Sequence, residues 1–252
     1  MTAAIDVLCC PLAAIDAALL ARYEQLLSDA EHERLRSFRA PAAAREFVAG
    51  RALLRSTLAE RLHCDPRALQ FSNNADGKPE LAFPASRWQF NLSHSHDWLV
   101  LALTEGGSVG VDIEAHARRN NLPAIAQRFF SVEENARLAQ LHEMPLHADA
   151  WRDQFVAVWT LKEAHAKALG CGLLKILPYS SVAVDLAAGR IDWTLSGIAA
   201  GAAAVSSWLY RLDANSTLAL VAHDAAFAEP LIQRCVPLRI RENVSIAKLA
   251  EG

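Results

Sequence analysis

The chain has 252 residues and a formal net charge of −3, with a pI of about 6.3; 52% of its residues are hydrophobic and 21% are charged. This length is enough to bury a large core, as one large domain or two of ordinary size. A slightly acidic chain has no broad basic face, which argues against a nucleic-acid partner, although a local basic patch could bind an anion.

The cysteines and the N-terminal segment argue against secretion. The five cysteines are scattered and form no C-x-x-C pair, so we expect free thiols in a reducing cytoplasm and no zinc site. The apolar N-terminal segment carries Asp6 and Asp16 but no early Lys or Arg, which does not fit a signal peptide. No apolar run approaches the ~20 residues of a membrane span, so we predict a cytoplasmic protein without membrane contact.

The first part of the chain is predicted to be a short strand followed by helices. Residues 5–10 have strand character, and residues 15–27 have helical character. Ser28 and Glu31 have the spacing of a capping box, which predicts the start of a second helix. A long helix is predicted from residue 42, because apolar residues then recur at helical spacing.

Two features of the long helix and the segment after it bear on function. The helix carries Arg51 and Arg55, and we expect Arg55 to lie on its solvent face. Residues 74–79, Asn-Ala-Asp-Gly-Lys-Pro, form a turn cluster in which Gly77 permits close backbone approach and Lys78 sits at the tip.

Three short strands are predicted next, over residues 88–92, 98–104 and 108–114, and we expect them to form one antiparallel sheet. Successive side chains of a strand alternate between its faces, so Asp112 and Glu114 lie on the same face. Two adjacent carboxylates repel each other unless a cation lies between them, and oxygen ligands suit a hard divalent cation. The alternative is an ordinary pair of acids on a solvent-exposed face.

The centre of the chain is predicted to be helical over 122–130, over a segment that Ser131 and Glu134 cap, and over 149–169. Trp159, Glu163 and Lys167 are spaced four residues apart and therefore lie along one stripe of the last helix. Glu163 and Lys167 could form an exposed ion pair, which stabilises a helix by about 0.3–0.5 kcal/mol. The tryptophan on the same stripe instead indicates that the stripe is partly buried.

The remaining chain is predicted to form two antiparallel strand pairs, over 181–186 with 191–195 and over 204–212 with 218–222. Each half therefore offers helices and about three short strands. The fold class that we predict is α+β, with two similar halves that each pack a small antiparallel sheet against helices and join near the Asp112 strand. The pattern predicts no element after His223.

Three segments, in this order and spacing, resemble the 4′-phosphopantetheinyl transferases of the Sfp type. The first is Asp-Gly-Lys-Pro (76–79) with Phe-Asn-Leu-Ser-His-Ser (90–95), the second is Gly-Val-Asp-Ile-Glu (110–114), and the third is Trp-Thr-Leu-Lys-Glu-Ala-His-Ala-Lys (159–167). Each motif is weak alone, but their joint order is hard to obtain by chance. The matches span about residues 45–172, roughly half of the chain.

The resemblance implies a monomeric pseudo-dimer and a reaction. It implies an N-terminal half over 1–108 with contacts to the coenzyme A nucleotide, a C-terminal half over 109–252 with the metal-binding carboxylates, and an active site at their interface. The reaction moves the phosphopantetheine arm of coenzyme A, the co-substrate, onto a serine of an acyl or peptidyl carrier protein and releases 3′,5′-ADP. Mg²⁺ is the implied cofactor.

The resemblance also implies roles for particular residues. Asp112, Glu114 and Glu163 would bind Mg²⁺, and Glu163 would take the serine proton, directly or through a metal-bound water. Lys167 would contact the pyrophosphate, and with Glu163 and Asp112 it would make up the catalytic set. The coenzyme A contacts that it implies are Arg51, Lys78, Pro79, Ser93, His94 and Lys167.

One stretch departs from the family pattern. Family members often carry basic residues ahead of the first long helix to hold the 3′-phosphate of coenzyme A, whereas residues 28–38 here are mixed in charge, with Arg34 or Arg36 as candidates. The alternatives to a transferase are a non-catalytic coenzyme A or nucleotide-binding protein and a Mg²⁺-dependent phosphohydrolase of the same fold. The carrier surface is usually acidic, so a local basic rim near the site is expected.

Overall fold

The computed structural model describes residues 2–95, 97–116, 121–142, 148–197 and 205–252. The helices of these residues are α1 (Ala17–Glu24), α2 (Asp29–Arg36), α3 (Pro41–Leu62), α4 (Leu122–Phe129), α5 (Val132–His142), α6 (Ala148–Leu169) and α7 (Leu173–Ile176). The strands are β1 (Ile5–Pro11), β2 (Gln70–Asn73), β3 (Pro79–Phe83), β4 (Trp88–Ser95), β5 (Trp98–Glu105), β6 (Ser108–Ala115), β7 (Ser180–Asp185), β8 (Arg190–Leu195), β9 (Val205–Asp213), β10 (Ser216–His223), β11 (Leu231–Val236), β12 (Ile240–Asn243) and β13 (Ala247–Glu251).

The strands form two main sheets and one separate hairpin. The first sheet has the order β12-β11-β1-β5-β4, and the second has the order β6-β10-β9-β13-β8-β7. Most neighbours are antiparallel; β1 with β11 and β13 with β8 are the parallel pairs among the described strands. The α+β class is therefore confirmed, with helices packed on each of the two main sheets.

The expectation that β4, β5 and β6 form a single sheet is wrong. Gly106 and Gly107, with φ of 102° and 73°, turn the chain after β5 and deliver β6 to the second sheet. There β6 pairs with β10 along its full length. Its other edge meets β4 through side chains, because the amides of Val111 and Ile113 donate to Asn91 Oδ1 (2.8 Å) and Ser93 Oγ (3.4 Å).

The C-terminal part of the chain returns to the first sheet, which no sequence pattern predicted. Strand β11 adds beside β1 in parallel, and β12 follows at the edge. The chain changes sheet between β5 and β6, close to the predicted division at residue 108. The return of β11 and β12 means that the later residues do not all stay in the second half, and the division itself stays a prediction.

Three apolar clusters hold these layers together. One packs α1 and α3 on the first sheet, one packs α6 on the second sheet, and the third lies between the two sheets. Val109, Val111 and Ile113 belong to the third cluster, so the alternation of β6 directs Asp112 to the opposite face. No helix of the described residues is both long and apolar enough to cross a membrane.

The helix α2 begins as predicted, since Ser28 and Glu31 form a capping box. The expectation that Arg55 is solvent-exposed is wrong, because Arg55 is 1% exposed. Its guanidinium donates to Glu31 Oε2 (2.7 Å) and to the carbonyl oxygens of Pro66 (2.6 Å) and Leu69 (3.0 Å). The segment after α3 folds back over this face of the helix. Its carbonyls satisfy the Arg55 guanidinium and so make the burial of that charge possible.

Candidate active site

A cavity of about 730 Å³ lies where the two sheets meet, and three elements line it. Strand β4 contributes Ser93 and His94, strand β6 contributes Asp112 and Glu114, and helix α6 contributes Trp159, Glu163 and Lys167. Residues far apart in the chain are thus brought together by the contact between β4 and β6 and by the packing of α6 on β6.

Helix α6 reaches β6 because of Gly110. A Cβ on this residue would overlap the carbonyl oxygen of Ala164 and the amide nitrogen of Ala168, so only glycine permits the two backbones to approach this closely. The stripe predicted from the spacing then faces the cavity: Trp159, Glu163 and Lys167 are partly buried and line it together.

Asp112 is buried at the cavity, with 5% of its surface exposed, as is Ser93 beside it. Its Oδ1 accepts hydrogen bonds from Lys167 Nζ (2.6 Å) and Ser93 Oγ (2.9 Å), and Lys167 Nζ also lies 3.0 Å from Ser93 Oγ. Its Oδ2 is buried and has no hydrogen-bond partner among the described residues. A buried carboxylate oxygen without a partner is costly, which makes Oδ2 an available ligand for a cation.

The other two acids lie around Asp112. Trp159 Nε1 donates to Glu114 Oε1 at 3.1 Å, and the Trp159 ring packs edge-on against Phe129 with a centroid distance of 5.7 Å. This fixes one oxygen of Glu114. Glu163 lies one helical turn after Trp159 on the same stripe.

The donor set fits a hard cation in chemistry. Among the described residues no three His, Cys, Asp or Glu side chains are already gathered into a metal cluster. Asp112, Glu114 and Glu163 nevertheless line one cavity and provide only oxygen donors, which is the set that Mg²⁺ prefers. The unpartnered Oδ2 of Asp112 fits this assignment, and the metal ligands stay a prediction.

Two further cavities extend from the first one across the N-terminal half. A cavity of about 340 Å³ shares His94 with the first and is also lined by Arg51, Pro79 and Asn91. A cavity of about 980 Å³ shares Arg51 with the second and is also lined by Arg34. These shared residues connect Asp112 to a basic and aromatic groove on α2 and α3.

His94 lies between the first and second cavities, and Arg51 lies between the second and third. The Arg51 guanidinium lies 5.6 Å from the ring centroids of both Phe47 and Phe71, and its Nε is 3.3 Å from Glu31. Burial lowers the pKa of Arg51 from its ordinary value. His94 is more than half exposed, with Nδ1 3.4 Å from a carboxylate oxygen of Glu46.

Lys78 lies elsewhere. Its Nζ donates to the carbonyl oxygens of Val109 (3.3 Å) and Ala168 (3.2 Å), near the C-terminal end of α6, and it is not among the residues that line the three cavities. Burial lowers the pKa of Lys78 to about 8. The ammonium group satisfies the Ala168 carbonyl at the end of α6 and the Val109 carbonyl on β6, which accounts for its position, and its coenzyme A contact stays a prediction.

Comparison with known protein families bears directly on this site. The model described as "4'-phosphopantetheinyl transferase superfamily" matches residues 108–221, and the model described as "4'-phosphopantetheinyl transferase, N-terminal" matches residues 17–106. The 4′-phosphopantetheinyl transferase ffp of Bacillus subtilis is 32% identical over 165 residues, which cover 66% of this chain and 69% of that protein. The chain belongs to the 4′-phosphopantetheinyl transferase superfamily.

Other members of the superfamily are similarly related. The phosphopantetheinyl transferase of Thraustochytrium is 32% identical, over 70% of this chain and 64% of that protein. The 4′-phosphopantetheinyl transferase HetI of Nostoc is 35% identical, over 60% of this chain and 62% of that protein. The match therefore spans somewhat less than two thirds of these two relatives. The two family regions abut at the Gly106–Gly107 turn, where the chain passes from one sheet to the other.

Sequence reasoning missed the role of Asn91. This residue is 6% exposed, and its side chain joins the halves by accepting a hydrogen bond from the Val111 amide. The sequence pattern marked it only as one residue of the motif at 90–95, with no role of its own. A signal was available, because alternation along the strand places Asn91 on the same face as Ser93. What the pattern could not show is that this face meets the edge of β6.

Proposed function

We propose that this protein transfers the 4′-phosphopantetheine arm of coenzyme A to a serine of an acyl or peptidyl carrier protein. The observation that carries the proposal is the cavity in which Asp112, Ser93 and Lys167 are mutually hydrogen-bonded beside Glu114 and Glu163. The names of the relatives support the same activity. The proposal includes a cytoplasmic location, a monomeric state, and no membrane or nucleic-acid partner.

The reaction breaks the pyrophosphate of coenzyme A. The serine oxygen attacks the phosphorus that carries the pantetheine arm, a new P–O bond forms, and the bond to the nucleotide phosphate breaks. The leaving 3′,5′-ADP takes the electron pair, and the serine proton goes to a carboxylate oxygen of Glu163, directly or through a water molecule. Catalysis requires the nucleophile to be oriented and the charge on the pyrophosphate to be neutralised.

Lys167 supplies part of that charge. Its ammonium group is held by Asp112 Oδ1 and Ser93 Oγ, so it is oriented before substrate binds and needs little rearrangement during the reaction. His94 lines the same cavity and provides an imidazole that would hold a phosphate of coenzyme A. The Ser93 hydroxyl donates its one proton to Asp112 Oδ1, so Ser93 would have to release Asp112 before it could donate to a phosphate.

Asp112, Glu114 and Glu163 would bind Mg²⁺, with Asp112 Oδ2 as the ligand oxygen that has no other partner among the described residues. When bound, Mg²⁺ neutralises phosphate charge and stabilises the leaving phosphate.

The nucleotide end of coenzyme A is proposed to lie along the first half. Arg51 and Pro79 line the cavity that adjoins His94. Arg34 lines the next cavity, whereas Arg36 is not among its lining residues, so Arg34 is the better candidate for the 3′-phosphate. Lys78 would have to leave its two carbonyl partners to reach the nucleotide.

The direct test is the intact mass of an apo carrier protein after incubation with this protein, coenzyme A and Mg²⁺. We expect a gain of roughly 340 Da, the mass of one phosphopantetheine arm, that EDTA suppresses because a hard-cation site is emptied. No gain with fatty acid, polyketide or peptide carriers, while coenzyme A still binds, would leave only a binding protein. Release of free phosphopantetheine without any carrier would identify a phosphohydrolase.

The choice of carrier can be followed in the same assay. If a basic rim recognises an acidic carrier, the apparent second-order rate constant falls as ionic strength rises, because exposed charges are screened. A rate that is independent of salt with every carrier would contradict the basic rim.

A further inference from the structure

A buried ion pair between Glu134 and Lys162 lies outside the cavity. Lys162 is 1% exposed and Glu134 is 2% exposed. Lys162 Nζ donates to both carboxylate oxygens of Glu134, at 2.9 and 2.8 Å, and to the carbonyl oxygen of Ser180 at 3.0 Å. All three protons of the ammonium group are therefore used.

Glu134 connects three elements. Its Oε1 also accepts from the amide of Val182 on β7 (2.8 Å), and its Oε2 accepts from the amide of Ser131 at the start of α5 (2.7 Å). Lys162 belongs to α6. The pair thus ties α6 to α5 and to β7 at one point, with no donor or acceptor of either charged group left over.

This point lies next to the cavity residues in the chain but faces away from them. Lys162 precedes Glu163, and neighbouring residues of an α-helix are roughly 100° apart around its axis. Neither Lys162 nor Glu134 lines the cavity, so neither touches the reacting groups. A rotation of α6 by about 20° would move a side-chain tip at a radius of ~5–6 Å by roughly 2 Å.

We propose that the Glu134–Lys162 pair positions Glu163 and Lys167 by setting the rotation of α6 about its own axis. This inference rests on the proposed function for its kinetic part. A buried ion pair is weak evidence for stability, because its replacement by apolar groups often leaves stability unchanged or higher. The hydrogen bonds of the pair are directional and therefore favour one orientation of α6. Apolar contacts around α6 are not directional and specify that orientation less sharply.

The kinetic test replaces both partners, Glu134→Gln with Lys162→Met, so that no charge is left buried alone. We expect thermal stability close to wild type and a fall in kcat of about 10- to 100-fold, since a 1 Å misplacement can cost 10²-fold. KM for coenzyme A should rise by less than kcat falls, because the cavities proposed for the nucleotide end belong to the first half, whereas Lys167 on α6 is the coenzyme A contact that moves. A double variant that is stable and retains wild-type kcat would overturn the proposal.

A core truncation in the same half provides the matched control. Leu209→Ala removes side-chain volume from the cluster under α6 without touching the cavity. It should lower thermal stability more than the double variant does, while its folded fraction keeps wild-type kcat. If kcat simply followed stability in both variants, the pair would have only a structural role.

A second readout does not depend on transfer. Trp159 Nε1–H donates to Glu114, so its indole resonance in a ¹⁵N-tryptophan spectrum reports the rotation of α6. Assigned with Trp159→Phe, this resonance should shift in the double variant and stay in place in Leu209→Ala. An unchanged resonance in the double variant would contradict the inference, whether or not the wild-type protein transfers an arm to a carrier. Failure of the wild-type protein to transfer an arm to any carrier would instead reject the proposed function.

Discussion

At the scale of single residues, the two oxygens of the Asp112 carboxylate in the cavity have different surroundings. Asp112 Oδ1 is occupied by Lys167 and Ser93, while Oδ2 has no partner among the described residues. The two oxygens of the same side chain are therefore in different environments. One orients the Lys167 ammonium group, which we propose to contact the pyrophosphate, and the other suits a cation.

Glu163→Gln tests the proposed proton acceptor. The amide keeps the size of the side chain but can neither accept a proton nor bind Mg²⁺ well, so we expect transfer to fall by at least 10²-fold with the fold retained. Circular dichroism and the carrier mass assay measure the two effects. The exposed Glu133→Gln on α5 is the matched control, and near-normal turnover of folded Glu163→Gln would exclude the assigned role.

Two buried histidines make stability depend on pH. His165 and His223 are fully buried with ring centroids 5.0 Å apart, and their ring nitrogens have no hydrogen-bond partner among the described residues. Burial lowers the pKa of His165 to about 3 and that of His223 to about 4. Both are therefore neutral in the folded protein at pH values where the unfolded chain is protonated.

The free energy of unfolding should consequently fall as pH drops from about 6.5 to 4. In that interval the unfolded state binds more protons, and each histidine contributes at most about 1.4 kcal/mol per pH unit. Urea unfolding of wild type and of His223→Leu at several pH values measures the slope. The variant should lose part of the slope, and an equal slope in both proteins would show that His223 does not contribute.

At the scale of elements, the site depends on a helix and a strand that approach more closely than side chains normally allow. Gly110 is the point of contact, since a Cβ there would overlap backbone atoms of Ala164 and Ala168. Overlap with backbone cannot be relieved by a change of rotamer.

Gly110→Ala should therefore push α6 away from β6. We expect a loss of about 1–3 kcal/mol in the free energy of unfolding, as for other overpacked cores, and a large loss of transfer because Lys167 no longer reaches Asp112. Gly172→Ala is the control, because its Cβ would meet no atom within 4 Å. Denaturant unfolding and the mass assay distinguish the two variants, and a Gly110→Ala protein that behaved like the control would contradict the close approach.

At the scale of the whole molecule, the two sheets are joined without a continuous ladder. An apolar cluster lies between them, and the edges of β4 and β6 are linked by Asn91 and Ser93. We call this contact between the edges of β4 and β6 the seam. The candidate site lies beside the seam, so the geometry of the site depends on how the two halves meet.

Asn91→Ala should weaken the seam. It leaves the buried Val111 amide without its acceptor, which costs about 1–3 kcal/mol, whereas Asn91→Asp keeps an acceptor oxygen in place. Hydrogen exchange at the Val111 amide should speed up in the alanine variant and much less in the aspartate variant. Equal protection in the alanine variant and wild type would show that the seam does not rely on this bond.

The sequence by itself determined what depends on neighbours along the chain. Capping at Ser28, the Trp159–Glu163–Lys167 stripe and the shared face of Asp112 and Glu114 follow from local geometry and hydrogen bonding, as do most of the helix and strand positions. The three motifs, taken together, also indicated the family to which the chain belongs.

Only the tertiary structure decided which edges and faces meet. The placement of β6 in the second sheet, the return of β11 and β12 to the first, and the burial of Arg55 all depend on partners distant in the chain. Lys78 likewise lies against carbonyls of β6 and α6 rather than at a free turn tip. The backbone groups of strand edges and the backbone carbonyls are the same for nearly every residue type. A sequence pattern therefore cannot show which distant donor will bind them.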